Sequence, residues 1–142
     1  MAETELTKTV YLDAPRDTVW AFLTEKDKLA KWFHPAAADL AEGEDYALLE
    51  TDDSGNTVKL CWGTVLKMDR PTNLVWSFTI KPLGGAMTTV TWTLEDSHGG
   101  TRLTLRHEGI GMAAGEAPLG LLTALDAGWD AHFADLRKAT SA

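Results

Sequence analysis

Apolar and polar positions along this chain recur with two different periods, and the switches between them mark out its elements. From Leu6 to Leu12 the period is two, with Leu6, Lys8, Val10 and Leu12 on one face and Thr7, Thr9 and Tyr11 on the other, which predicts a strand. The strand stops at Asp13-Ala14-Pro15, where Asp13 or Ala14 can cap a helix and Pro15 can take its first position. That helix is expected to run to about Leu23, with Val19, Trp20 and Leu23 inward. Asp27 can cap a second short helix that buries Leu29 and Trp32 and that Pro35 prevents from continuing. Residues 36–44 read as a loop.

A run of strands follows. Asp45–Glu50 turns over at Asp52-Asp53-Ser54-Gly55-Asn56 into Thr57–Asp69, where Val58, Leu60, Trp62, Leu66 and Met68 share the inward parity. Gly63 offers a place for a bulge that would switch that parity to Val65. After Arg70-Pro71-Thr72-Asn73, the residues Leu74, Trp76, Phe78 and Ile80 alternate with Val75, Ser77 and Thr79, and Pro82 with Gly84-Gly85 ends this strand. Val90, Trp92 and Leu94 form the inward side of the next, which Ser97-His98-Gly99-Gly100 turns into Thr101–Glu108. There Leu103, Leu105 and His107 share one face.

The period changes to 3.6 over Gly115–Lys138, where Leu122, Leu125, Trp129, Phe133 and Leu136 fall on one stripe with Leu121 and His132 at its edge. Pro118 suits the first turn, and Arg137 with Lys138 complements the helix dipole at the far end. Gly128 in mid-helix costs about 1 kcal/mol relative to Ala. It is expected to allow either close approach to the element beneath or room beside a ligand. One strand, two short helices, an antiparallel run and one amphipathic helix make an α+β fold, with about six or seven strands and the last helix as their cover.

Composition narrows the function classes. The chain has 142 residues, the size of a single domain, 1–142, with a core sufficient without disulfides or structural metal. Thirteen basic against 21 acidic residues give a net charge of −8, which repels phosphate backbones and anionic lipid, so neither nucleic acid nor membrane is expected as a partner. One cysteine and a start without a basic, apolar leader make a cytoplasmic location the default. His34, His98, His107 and His132 lack metal-ligand spacing, so no metal and no cofactor are expected. No phosphate-cradling loop or nucleophile elbow is present. Strand parity puts His107 inward, either as a hydrogen-bonded core residue or as a polar group facing a ligand, and His132 carries the same two readings.

Ala14-Pro15 before Val19-Trp20, Leu29 and Trp32-Phe33, Gly63-x-Val65 with Pro71, Leu74 and Trp76, and the run from Thr101 through Leu103, Leu105 and His107 to Gly109 occur here in a fixed order, followed by Gly128-Trp129. In these features the chain resembles the START-like helix-grip superfamily, and within it the family named for the C-terminal domain of the chaperone-ATPase activator. The resemblance implies a curved sheet gripping the C-terminal helix, with a cavity between them that in many relatives takes up an apolar small molecule. Such a cavity would be lined by Trp62, Trp76, Phe78, Trp92, Leu103, Leu105, His107, Leu125, Trp129 and His132. The loop 109–115, with three glycines, would then be either a gate or an ordinary connection. The leading expectation is therefore binding of an apolar or aromatic ligand. An enzyme like the polyketide cyclases, using His107 or His132 as acid or base, is a second class. A chaperone-ATPase partner is a third, although the activator's additional N-terminal domain has no counterpart in these 142 residues. Oligomeric state has no signature in the sequence.

Overall fold

The computed structural model of the chain describes residues 5–80, 86–110 and 118–141. Its elements run β1 Leu6–Leu12, α1 Arg16–Thr24, α2 Lys26–Trp32, β2 Asp45–Thr51, β3 Thr57–Asp69, β4 Asn73–Ile80, β5 Thr88–Ser97, β6 Gly100–Glu108 and α3 Pro118–Ser141. The strands make one antiparallel sheet of six in the order β1-β6-β5-β4-β3-β2. β2 to β6 are therefore a simple meander, and β1 returns beside β6, so the α1–α2 segment carries the chain from one sheet edge to the other. His98 and Gly99 both take positive φ between β5 and β6, as a tight two-residue hairpin requires. Helix starts shift slightly from expectation: Pro15 is the N-cap of α1, and Glu25, not Asp27, caps α2. The expected strand terminators Pro82 and Gly84-Gly85, and residues 111–115 of the glycine-containing loop, lie outside the described residues.

The parity of β3 departs from expectation at Trp62, whereas Val65 is inward, as a bulge in this strand would make it. Leu48 pairs with Cys61 and Leu49 with Lys59, so Leu60 is an extra residue; Val65 pairs with Trp76 and Lys67 with Val75, so Leu66 is another. Two bulges thus flank the segment, each reversing which side chains face inward. Between them Cys61, Gly63 and Val65 are buried, and Trp62 alternates with them onto the other face. Beyond the second bulge Met68 is again inward, while Leu66 is 53% exposed. Gly63 is not itself the bulge. A Cβ there would sit 2.0 Å from the Ser77 carbonyl oxygen, so only glycine lets β3 and β4 approach here. In place of a regular rung, Ser77 Oγ accepts the Thr64 N–H at 2.8 Å and Tyr46 Oη donates to the Ser77 carbonyl at 2.7 Å.

The sheet's inward face carries the core. Leu74, Trp76, Val90, Trp92, Leu94, Leu103 and Leu105 are all buried, and Trp32 from α2 meets Trp92 edge-on at 6.1 Å. Trp32 Nε1 donates to the Phe22 carbonyl at 2.7 Å, fixing α2 to α1. The helix α3 is seated along only part of its length. Trp129, Phe133, Leu136 and Thr140 are buried, whereas Leu121, Leu122 and Leu125 are half-buried and Leu119 is 71% exposed. Lys8, inward on the edge strand β1, pairs with Asp126 and Asp130 and pins the helix there. Its amine pKa is raised by those two hydrogen-bonded carboxylates.

Candidate functional site

A cavity of about 160 Å³ lies between the β3–β4 side of the sheet and the 124–132 stretch of α3. An apolar void of about 150 Å³ is enough to admit benzene. The wall from the sheet is Leu60, Cys61, Phe78 and Ile80; the wall from the helix is Ala124, Leu125, Gly128, Trp129 and His132; Phe33 and His34 close one end. Leu60 and Cys61 both reach this space because the first bulge lies between their parities. Phe33 is the C-cap of α2, and its departure from helical geometry, with Pro35 two residues on, turns the Phe33-His34 pair under α3. Phe33 lies 5.3 Å from the Trp129 ring and 4.6 Å from His132, so three aromatic rings form one continuous wall.

Gly128 faces this space. A Cβ built on it meets nothing within 4 Å, which overturns the close-approach reading and leaves the one in which glycine makes room. Of the residues expected to line a cavity, Phe78, Leu125, Trp129 and His132 do so. Trp76, Trp92, Leu103, Leu105 and His107 point inward but sit behind it in solid core. The reason is Trp32, which with Phe133 fills the concavity over Trp92. Trp62 is placed by the bulges on the other face, beside Lys59 and Thr64. Phe33, His34, Leu60, Cys61, Ile80 and Ala124 line the cavity without having been expected there, and Gly128 lines it as one of its two readings allowed. A signal existed for Gly128, as a helix-interior glycine, and for Phe33-His34, as an aromatic pair between a helix and a proline.

The histidines have separate roles. His107 is fully buried, and Trp129 Nε1 donates to its Nδ1 at 3.3 Å. Its proton is therefore on Nε2, which donates to Thr88 Oγ1 at 2.7 Å, and Thr88 donates in turn to the Phe78 carbonyl at 2.6 Å. Both ring nitrogens are used, and burial pushes the pKa down to about 4. His132 meets the Trp32 carbonyl through Nδ1 at 3.2 Å, so Nδ1 carries the proton and Nε2 keeps a bare lone pair. Burial lowers its pKa. His34 stands 5.2 Å from His132 between ring centres, and burial and that neighbour push it down to about 4. The Cys61 thiol is pushed up to about 12 by burial, so it is protonated and a poor nucleophile. Trp76 and Trp92 bury Nε1–H groups that have no hydrogen-bond partner among the described residues; the rings packed around them offer π faces, which are weak acceptors. Among the described residues no cluster of His, Cys, Asp or Glu can hold a metal ion, and no helix is long and apolar enough to cross a membrane.

Comparison with known proteins agrees with this architecture. The family model described as activator of Hsp90 ATPase homolog 1-like protein matches residues 13–141. No curated protein matches in a sequence search. Among solved structures, DynU16 of the dynemicin biosynthetic locus superposes with a TM-score of 0.78 at 24% identity over 96% of this chain, which spans only 47% of that protein. CalU16 from Micromonospora echinospora is 26% identical with a TM-score of 0.74, covering 96% of this chain and 76% of that one. A protein from Chromobacterium violaceum reaches 0.79 at 19% identity, covering 98% of both chains.

Proposed function

For a chain that belongs to the activator of Hsp90 ATPase homolog 1-like family, we propose the binding of an apolar or aromatic small molecule between the sheet and the first half of α3. The observation that carries this is the cavity itself, walled by Phe33, Phe78 and Trp129 with Leu60, Ile80 and Leu125, and widened where Gly128 presents no side chain. Apolar walls with a few polar atoms are the usual make-up of a ligand site. Mass spectrometry of organic extracts from the purified protein tests it directly, with titration of single-ring and two-ring aromatics followed by intrinsic fluorescence. A saturable signal that Gly128→Leu abolishes supports the reading; absence of saturation by every compound counts against it.

A cyclase-like enzyme has less support. His107 has both nitrogens engaged within the core, so an acid or base role in the cavity falls to His132, and among the described residues no carboxylate lines the cavity with it. Contact with a chaperone ATPase is favoured by family membership alone, and a pull-down of the host chaperone with the purified chain tests that reading.

A further inference from the structure

The polar atoms of the cavity are few and their roles are set by the fold. The carbonyl of Trp32, at the last residue of α2, lacks an intrahelical partner, and a carbonyl can only accept. His132, whose ring lines the cavity, therefore spends its N–H on it, and its Nε2 is left as a pure acceptor. His34 makes no hydrogen bond with any described residue, so its neutral ring offers one N–H and one lone pair. Among the described residues no Lys, Arg, Asp or Glu lines the space, so neither an anion nor a cation finds a counter-charge from them there.

We infer, on the reading that this cavity binds a ligand, that the His34–His132 pair selects a neutral hydroxylated arene of about one ring, the hydroxyl donating to His132 Nε2 and accepting from His34. A hydroxyl is the small neutral group that both donates and accepts at one atom, and the two imidazoles are 5.2 Å apart at the same end of the cavity. An ether oxygen only accepts, so it can take the His34 N–H but leaves the His132 lone pair without a donor. A carboxylate does the same, with the added cost of burying a charge. Both imidazoles remain neutral near pH 7 because burial disfavours their charged forms, which keeps the acceptor available.

Calorimetric titration of the wild-type chain with 4-ethylphenol, 4-ethylanisole and 4-ethylbenzoate decides the matter. The phenol is expected to bind about tenfold tighter than the ether, the size of one net hydrogen bond, and the benzoate weakest. His132→Phe keeps a ring against Phe33 and should reduce the phenol's advantage to about twofold or less. Should that variant unfold on losing its bond to Trp32, His34→Phe is the second test, and the wild-type comparison stands without either. Equal affinity for phenol and ether, or preference for the benzoate, overturns the hydroxyl selection while leaving the apolar cavity reading intact. Failure of phenol and ether alike overturns both.

Discussion

At the scale of single residues, a buried side chain's function is decided by how many of its polar atoms are already spoken for. His107 illustrates one end, with a chain of three hydrogen bonds from Trp129 through His107 and Thr88 to the Phe78 carbonyl. This network joins α3 to β4, β5 and β6 and holds the helix over the sheet. The unfolded chain takes up a proton on this histidine near pH 6.5, and the native chain only near 4. Between those values the unfolded state binds more protons, so stability present at pH 7 is lost as pH falls through that window, by roughly 3 kcal/mol. Urea midpoints of wild type and His107→Gln at pH 7 and pH 4.5 should show the variant less stable at pH 7 and losing less on acidification, with its ligand affinity unchanged. An equal loss in both proteins would remove His107 as the titrating group. Gly128 is the opposite case, a residue whose use is absence. Gly128→Ala should stabilise the helix by about 0.5–1 kcal/mol, since its methyl group meets no atom, yet weaken ligand binding by narrowing the cavity. Melting temperature and affinity moving in the same direction would contradict this.

At the scale of elements, the α1–α2 insert and strand β3 define where the cavity lies. Trp32 plugs the concavity over Trp92, which moves the free space from the centre of the sheet to its β3–β4 side. The two bulges in β3 then turn Leu60 and Cys61 toward that space and Trp62 away from it. Gly63 is the residue on which this part of the sheet depends, because any Cβ collides with the Ser77 backbone rather than with a movable side chain. Gly63→Ala should therefore cost about 3 kcal/mol or more, read as a fall in melting temperature, with loss of the Tyr46–Ser77 bond. A near-native melting temperature would mean that β3 and β4 tolerate separation. Helix α3 divides in function along its length. Its buried half, with Trp129, Phe133 and Leu136, should show amide-exchange protection close to global stability, while 119–125 exchanges through local opening.

At the scale of the whole molecule, the succession of elements along the chain, the two-helix insert and the covering helix were legible because each rests on a periodicity of several residues, and the parities of β4, β5 and β6 placed Trp76, Trp92, Leu103, Leu105 and His107 inward. The cavity was legible only in part. A bulge adds one residue without changing the local composition, so the turn of Trp62 outward has no local signature. Whether inward aromatics line a void or fill it depends on a partner such as Trp32, distant in sequence from the strands it covers. That distinction has an optical consequence. Of the six tryptophans, Trp129 is the one against the cavity, while Trp20, Trp32, Trp76 and Trp92 are buried in the core and Trp62 faces away. A single-ring ligand burying about 150 Å² of apolar surface gains about 4 kcal/mol at 25 cal/mol/Å² before association costs, which makes its dissociation constant no tighter than about millimolar unless a hydrogen bond adds to it. Ligand-induced fluorescence change should then come chiefly from Trp129. Trp129→Phe retains an aromatic wall and is expected to bind within several fold of wild type while losing most of that change; Trp92→Phe should keep the change. If the signal instead followed Trp92, the ligand would be entering the centre of the sheet, and the site would have to open by displacing Trp32 rather than by filling the space beneath α3.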